Sequence, residues 1–169
     1  MKALFINVND LKRKSIISGN LDGDKVVQFI EVAQDTAIQN YLGGKLYRKL
    51  QDLIIAQTLY DAVNADYKVL LNDYVKPMLI WYTQANYIPF AAFTVSNGGV
   101  FKRSPEGTES VTREELSILT AKVTDTADFY TQRFIDFMNF NSTLYPEYTS
   151  NQDGDMYPDR DVQYTGFVL

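Results

Sequence analysis

The sequence predicts a mainly α-helical fold: a bundle of about four to five helices with one short β-hairpin and an extended C-terminal arm. Apolar residues recur at three- and four-residue spacing through most of the 169 residues, which is the pattern of amphipathic helices. One turn sequence, Asn97-Gly98-Gly99, lies between two short β-prone runs and favours the hairpin. A chain of this length fits one domain, so we expect residues 1–143 to form a helical domain and residues 144–169 to form the arm.

Two long helices are predicted early in the chain, after a short one that Asp10 caps and that runs through Ile17. The first follows a turn at residues 20–24 and has an apolar face formed by Val26, Phe29 or Ile30, Ala33, Ala37 and Tyr41. It ends at Gly43-Gly44, where paired glycines permit a sharp turn. The second helix has four apolar residues on one face, Leu46, Leu50, Leu53 and Ile54.

A third helical stretch runs from Ala65 to Ser96 and contains Pro77 and Pro89, each of which predicts a kink or a break. No charged residue lies between Lys76 and Lys102, and residues 77–96 are just long enough to span a bilayer. The polar residues within that run and the mean hydropathy of −0.22 favour a central buried helix over a membrane span.

The hairpin is expected over Thr94 to Lys102, within residues 94–103. After it, the sequence from Thr112 to Glu115 fits a capping box and opens the longest predicted helix, which ends near Phe140. That helix is about 42 Å long at 1.5 Å per residue. A domain of this size has a radius of gyration of about 15 Å, so the helix spans the whole domain.

The residues after this helix predict an arm that docks onto a partner rather than onto its own core. Five aromatic residues fall there, and aromatic side chains outside a core need a partner surface. The arm mixes the turn-like sequence Asn-Gln-Asp-Gly-Asp with a final alternating run suited to strand addition. The five aromatic residues are Tyr145, Tyr148, Tyr157, Tyr164 and Phe167.

The composition argues against most catalytic chemistry. The chain has no cysteine and no histidine, which excludes disulfides, thiolate nucleophiles, imidazole bases and the usual zinc ligands. The acidic residues Asp153, Asp155, Asp159 and Asp161 lack the order and the closing Glu of a calcium loop, so they indicate a solvated acidic linker. We therefore expect no enzymatic activity, no catalytic residue, no cofactor and no metal site.

The charge balance argues against nucleic-acid binding. Sixteen basic residues against 21 acidic ones give a net charge of −5 and a pI near 4.7, which opposes attraction to a polyphosphate. One alternative remains open: the basic group Lys45, Arg48 and Lys49 could serve a small helical DNA-recognition or regulatory subunit of the terminase-small-subunit type. An ordinary polar helix face explains the same residues.

The order of these elements resembles the neck or head-completion proteins of tailed bacteriophages, particularly those of crAss-like and related phages of Bacteroidetes. The resemblance covers most of the chain from about Leu11 to Tyr148, and its motifs are structural. It is carried by Ala37, Ile38, Tyr41, Leu42, Gly43, Leu46 and Leu50, by Ser96 to Lys102, by Phe129-Tyr130, and by Tyr145-Pro146-Glu147-Tyr148.

The resemblance implies a structural head-tail connector: an adaptor ring of about twelve copies that docks beneath the portal and extends the DNA channel toward the tail. Its location would be the neck of the virion, after assembly in the host cytoplasm. Its partners would be the portal protein, neighbouring copies and other neck or tail proteins, with DNA only passing through the channel and no membrane contact. The expected partner-binding residues are Val100, Phe101, Lys102 and Arg103 of the hairpin and the five aromatic residues of the arm.

Overall fold

The structure is a computed structural model that describes residues 2–17, 23–91, 93–96, 99–102, 111–150 and 156–162. The described part is mainly helical, as predicted. Its α-helices are α1 (Val8–Lys14), α2 (Gly23–Ala33), α3 (Gln39–Ile55), α4 (Ala65–Val69), α5 (Lys76–Ala91), α6 (Arg113–Asn141) and α7 (Pro146–Thr149). Two π-helical turns, Gln34–Ile38 and Leu70–Val75, and two 3₁₀ turns, Ala62–Asn64 and Ser142–Leu144, connect them.

Two short strands lie between α5 and α6. Strand β1 (Phe93–Ser96) pairs antiparallel with β2 (Gly99–Lys102), in a register that places Phe93 opposite Lys102 and Ser96 opposite Gly99. The turn residues Asn97 and Gly98 lie outside the described residues, so the turn stays a prediction.

The first helices bury the faces that the sequence predicts. Val26, Ile30 and Ala33 of α2 are buried, and so are Leu46, Leu50 and Leu53 of α3. The cap of α1 is Asn7 rather than Asp10: the Asn7 side chain accepts from the Asp10 amide, and the Asp10 carboxylate accepts from the Asn7 amide. Asp10 is therefore the second half of a capping box.

The predicted turn at Gly43 is confirmed as a sharp kink within α3. Gly43 has φ 72° and ψ 161°, a conformation that is almost restricted to glycine. The chain enters the kink from Tyr41 and Leu42 and leaves it toward Leu46, and all three side chains are buried. The kink therefore redirects the helix while keeping one continuous apolar face.

The predicted core helix is confirmed as far as Ala91, but Phe93–Ser96 form strand β1 instead of continuing the helix. The segments α4, Leu70–Val75 and α5 follow one another without a gap. The π turn ends two residues before Pro77, whose missing amide cannot continue the α-helical ladder. Pro89 lies inside the last turn of α5. The buried residues of α5 are Met78, Leu79, Ile80, Thr83, Gln84 and Ile88. Among the helices that the structure describes, none is both long and apolar enough to cross a bilayer.

Helix α6 runs antiparallel to α5. The Tyr74 ring, just before α5, stacks on Phe137 at 4.0 Å between centroids, whereas Tyr82, two turns later, is hydrogen-bonded to Asp128 and Thr131. Residues further along α5 therefore contact residues that come earlier in α6. The capping box that the sequence predicts at Thr112 and Glu115 is present and begins α6 at Arg113.

The arm prediction is wrong for residues 144–150, which fold onto the chain's own core. Tyr145 is 1% exposed and Tyr148 is 3% exposed. The Tyr145 hydroxyl donates to the Asp66 carbonyl oxygen at 3.0 Å, and its ring meets the Tyr67 ring edge-on at 5.5 Å. Pro146 begins α7 and sets its first turn, which carries Tyr148 inward. These aromatic residues complete the core instead of seeking a partner.

Residues 156–162, which we call the strap, also pack on the chain itself rather than extending away. The strap crosses the kink of α3: the Gly44 amide donates to the Met156 carbonyl at 2.9 Å, and the Asp159 amide donates to the Asn40 carbonyl at 2.8 Å. Val162 packs against the core. Because the kink interrupts the helical hydrogen bonds on both of its sides, it leaves an amide and a carbonyl there that can hydrogen-bond to an extended segment.

Candidate interaction surface

One end of the molecule carries an unburied stretch of helix. We call it the tip: Phe90, Phe93, Val111 and the first ten residues of α6, 113–122. None of those ten α6 residues is buried, and the first buried residue of α6 is Val123, at 2% exposure. At 1.5 Å per residue this stretch is about 15 Å of a helix that is about 43 Å long. A third of α6 therefore has no fully buried residue, and within it only Leu116 and Thr120 are half-buried.

The tip is apolar as well as exposed. Ile118 is 71% exposed, Val111 55% and Leu119 41%, while Phe90 and Phe93 expose 62% and 47%. Phe90 is held in place, since its ring packs on the Phe29 ring at 5.6 Å between centroids. Apolar side chains gathered at one protruding end are typical of a surface that another protein covers.

Local hydrogen bonds support the start of the tip helix, where none of the described residues is fully buried. The Glu115 carboxylate accepts from the Thr112 amide and hydroxyl, both at 2.9 Å, and the Glu115 amide donates to the Thr112 hydroxyl at 3.2 Å. The bonds from Thr112 lower the pKa of the Glu115 carboxyl, so the group is charged at neutral pH and complements the positive end of the helix dipole. The tip is thus formed before any partner meets it.

A cavity of about 310 Å³ opens on another part of the molecule, and we call it the side cavity. The N-terminal segment forms one wall, held by Gln34, which accepts from the Phe5 amide at 2.8 Å and donates to the Ala3 carbonyl at 2.9 Å. The end of α3 and the start of α5 form the others. The lining residues are Leu4, Phe5, Leu53, Ile54, Gln57, Leu59, Tyr60, Leu71 and Lys76.

A tight turn after α3 shapes this cavity. Gln57 adopts φ 59°, in the left-handed region, and the amides of Thr58 and Leu59 both donate to the Leu53 carbonyl, at 3.0 and 3.2 Å. The turn buries Leu59 at 3% exposure and leaves Tyr60 at 64%. The result is an apolar depression with an exposed tyrosine at its side and one cation, Lys76, in its lining.

A smaller cleft of about 150 Å³ is polar and lies where the strap meets the helices. The Tyr82 hydroxyl donates to the Asp128 carboxylate at 3.4 Å and accepts from the Thr131 hydroxyl at 3.1 Å. Burial raises the pKa of the Asp128 carboxyl. The lining residues are Thr36, Ala37, Asn40, Tyr41, Tyr82, Thr124, Asp128 and Asp159. Among the described residues no group of three or more acids, histidines or cysteines is placed to hold a metal ion.

Three of the nine predicted partner-binding residues have described side chains, and those three do not share one exposed surface. Tyr145 and Tyr148 are buried, and only Tyr157 of the arm aromatics is seen exposed, at 69%. Val100, Phe101 and Lys102 lie in β2, close in sequence to the tip, and their side chains are outside the described residues. Three further predicted residues, Arg103, Tyr164 and Phe167, also lie outside them.

The basic group of the DNA-recognition alternative is largely engaged within the chain. The Lys45 ammonium donates to the Ser150 carbonyl at 2.7 Å, and the Lys49 ammonium lies 5.5 Å from the centre of the Tyr67 ring. The Lys45 contact holds the end of the C-terminal fold-back to α3, whereas Lys49 contacts α4. Arg48 is exposed and also interacts within the chain.

The sequence missed the tip because its periodicity continues past the core. The seven-residue spacing of apolar residues in α6 predicts Leu116 and Leu119 on the same buried faces as Val123 and Ala127, but Leu116 is only half-buried and Leu119 is exposed. Ile118 is the sequence signal for this unburied end of α6. It falls between the two apolar rows, at a position where a fully packed helix would have a polar residue.

Comparison with known proteins gives one family. A model described as a family of unknown function, DUF6712, matches residues 38–157, which is more than two thirds of the chain. The matched stretch includes the Gly43 kink, the core helix α5 and the whole tip. No curated protein and no solved structure matches the chain.

Proposed function

We propose that this chain, which belongs to the DUF6712 family of unknown function, is a structural virion protein that acts as a head-tail connector. In this proposal it forms an adaptor ring that docks beneath the portal and extends the DNA channel toward the tail. The proposal starts from the resemblance of its element order to phage neck proteins.

The observation that carries the proposal is the tip. A capped, preformed helix end with exposed Ile118 and Leu119 is costly to leave in water and useful for assembly, because burying apolar surface drives association. A ring subunit must offer two different faces, one to each neighbour, and such head-to-tail contacts close into a ring when the rotation allows. The tip supplies one such face.

The charge of the chain is compatible with a channel that DNA crosses. At a net charge of −5 the subunit does not attract the phosphate backbone as a whole, and weak attraction is what a passage requires. This supports transit of DNA without recognition of its sequence.

The DNA-recognition subunit has less support from the geometry. Lys45 and Lys49 make intramolecular contacts with Ser150 and Tyr67, so a phosphate would have to compete with them. The two proposals differ in a direct measurement. A connector should bind a DNA duplex weakly at about 150 mM salt, whereas a recognition subunit should bind tightly and with a steep salt dependence.

The assembly test uses the full chain with and without the portal protein of the same phage. Light scattering and negative-stain images should show rings, either of the chain alone or on the portal. Ile118→Glu should reduce ring formation because it places a charge in an apolar contact. Asn139→Glu is the matched control, since it adds the same charge to an exposed position of α6 that lies outside the tip. A chain that stays monomeric under both conditions, or rings that Ile118→Glu leaves intact, would contradict the proposal.

A further inference from the structure

We infer that the tip of one copy docks into the side cavity of the next copy, with Glu114 of the tip paired to Lys76 of the cavity. This inference deepens the proposed ring function and rests on it. It names the two faces that meet and the charge pair that sets their register.

The side cavity has the size and the lining for the tip's apolar side chains. Leucine, isoleucine and phenylalanine side chains dominate its walls, and its volume is about 310 Å³. A cavity of about 150 Å³ with similar lining can hold a benzene ring. Ile118 and Leu119, which protrude from the tip, supply two apolar side chains of suitable size.

The tip cannot fill the cavity of its own chain. Lys76 is the first residue of α5, whereas the tip lies around Ala91, its last residue. Fifteen residues of helix separate these two points, which is about 22 Å at 1.5 Å per residue. A contact between tip and cavity therefore joins two copies through different surfaces, and such a heterologous contact is what generates rings.

The charges of the two surfaces are complementary. Lys76 is the one charged residue in the lining of the cavity and makes no ion pair with any residue the structure describes. Glu114 lies one helical turn before Ile118, so the two share a face of α6. Glu114 is exposed and makes no ion pair within the described chain, whereas the neighbouring Glu115 is engaged by Thr112. Docking Ile118 in the cavity would bring Glu114 to its edge.

The first experiment is a charge swap measured by ring assembly of the full chain, with portal present if assembly requires it. Lys76→Glu and Glu114→Lys should each weaken assembly by about tenfold or more, since close interfacial charge pairs have coupling energies of that order. The double variant Lys76→Glu/Glu114→Lys restores opposite charges across the contact, so it should recover most of the lost assembly. Lys12→Glu, an exposed residue of α1 with the same change of charge, is the control and should leave assembly unchanged.

The second experiment uses the absence of cysteine from the chain. A double variant, Ile118→Cys with Tyr60→Cys, should form disulfides between copies on mild oxidation and give a ladder on a non-reducing gel. A mixture of the two single variants should give dimers across the same contact.

The outcomes separate the inference from the proposed function. The tip-to-cavity contact would be overturned if the natural chain forms rings but the double charge-swap variant does not recover assembly and the cysteine pair gives no cross-link. The connector proposal would then still stand. A chain that forms no ring, alone or with portal, would overturn both.

Discussion

Replacing Gly43 by alanine tests the link between the kink of α3 and the strap. Gly43 has φ 72° and ψ 161°, and an added Cβ would lie 2.8 Å from both Cγ and Cδ of Pro158. Both atoms belong to a ring that cannot rotate away. Gly43→Ala must therefore strain the backbone and displace the strap from the kink of α3.

The magnitude follows from two contributions. A non-glycine residue in this region of φ and ψ costs about 1–3 kcal/mol. Displacing the strap loses the two backbone hydrogen bonds at Gly44 and Asn40, worth about 1 kcal/mol each. The free energy of unfolding should thus fall by about 3–5 kcal/mol, which for a chain of this size lowers Tm by roughly 6–20 °C.

The assay is urea and thermal denaturation followed by circular dichroism. Gly23→Ala is the matched control: no atom lies within 4 Å of its added Cβ, so it should be neutral or stabilise by about 0.4–1 kcal/mol. In a chain truncated after Ser150 the strap is gone, and Gly43→Ala should cost only the backbone strain, about 1–3 kcal/mol. If Gly43→Ala is as stable as the natural chain, or costs the same in both backgrounds, the strap does not depend on the kink.

Three further predictions concern the C-terminal fold-back and the polar cleft. Truncation after Asn141 should cost about 5 kcal/mol or more because it removes two buried aromatic residues, Tyr145 and Tyr148; a truncated chain that melts within a few degrees of the full chain would contradict this. Tyr145→Phe should cost about 0.5–1.5 kcal/mol in urea denaturation, since it removes only the hydrogen bond to the Asp66 carbonyl; an unchanged midpoint would mean that bond contributes nothing. Asp128→Asn should raise Tm at pH 7 but not below about pH 4. Burial raises the pKa of Asp128 in the folded state, so ionisation of this carboxyl destabilises the fold as pH rises through that pKa. An equal change of Tm at both pH values would contradict this direction of the pKa shift.

The regular elements of this fold could be predicted because their signals are local. The capping box at Thr112 and the glycine at position 43 each require only a few neighbouring residues to act, and both are found where the sequence places them. The buried face of α3 follows from the spacing of Leu46, Leu50 and Leu53 in the same way. Local periodicity and local backbone preference are visible in one sequence without any knowledge of the tertiary contacts.

The fold-back of residues 144–150 and 156–162 could not be predicted because its signal is not local. Nothing near Pro158 in sequence shows that its ring will rest on a glycine 115 positions earlier. The segment has no helical or strand periodicity, and it is fixed by single contacts such as those of Tyr145 with Asp66 and of Lys45 with Ser150. A sequence rich in turns and aromatic residues looks the same whether the segment binds a partner or folds back onto its own chain.

The outcome at the C-terminus changes where an interface is to be sought. With Tyr145 and Tyr148 buried, two of the aromatic residues assigned to a partner are already covered by the core. The apolar surface that remains uncovered in the described chain includes the tip, where α6 continues past the elements that pack against it. The sequence assigns both stabilising and partner-binding roles to a single arm, whereas in the structure residues 156–162 pack on the chain's own kink. Ile118 and Leu119 remain exposed, and we propose that a second copy of the chain covers them. If this division holds, variants of the strap should lower stability in proportion to their loss of assembly, whereas Ile118→Glu should abolish assembly at unchanged Tm.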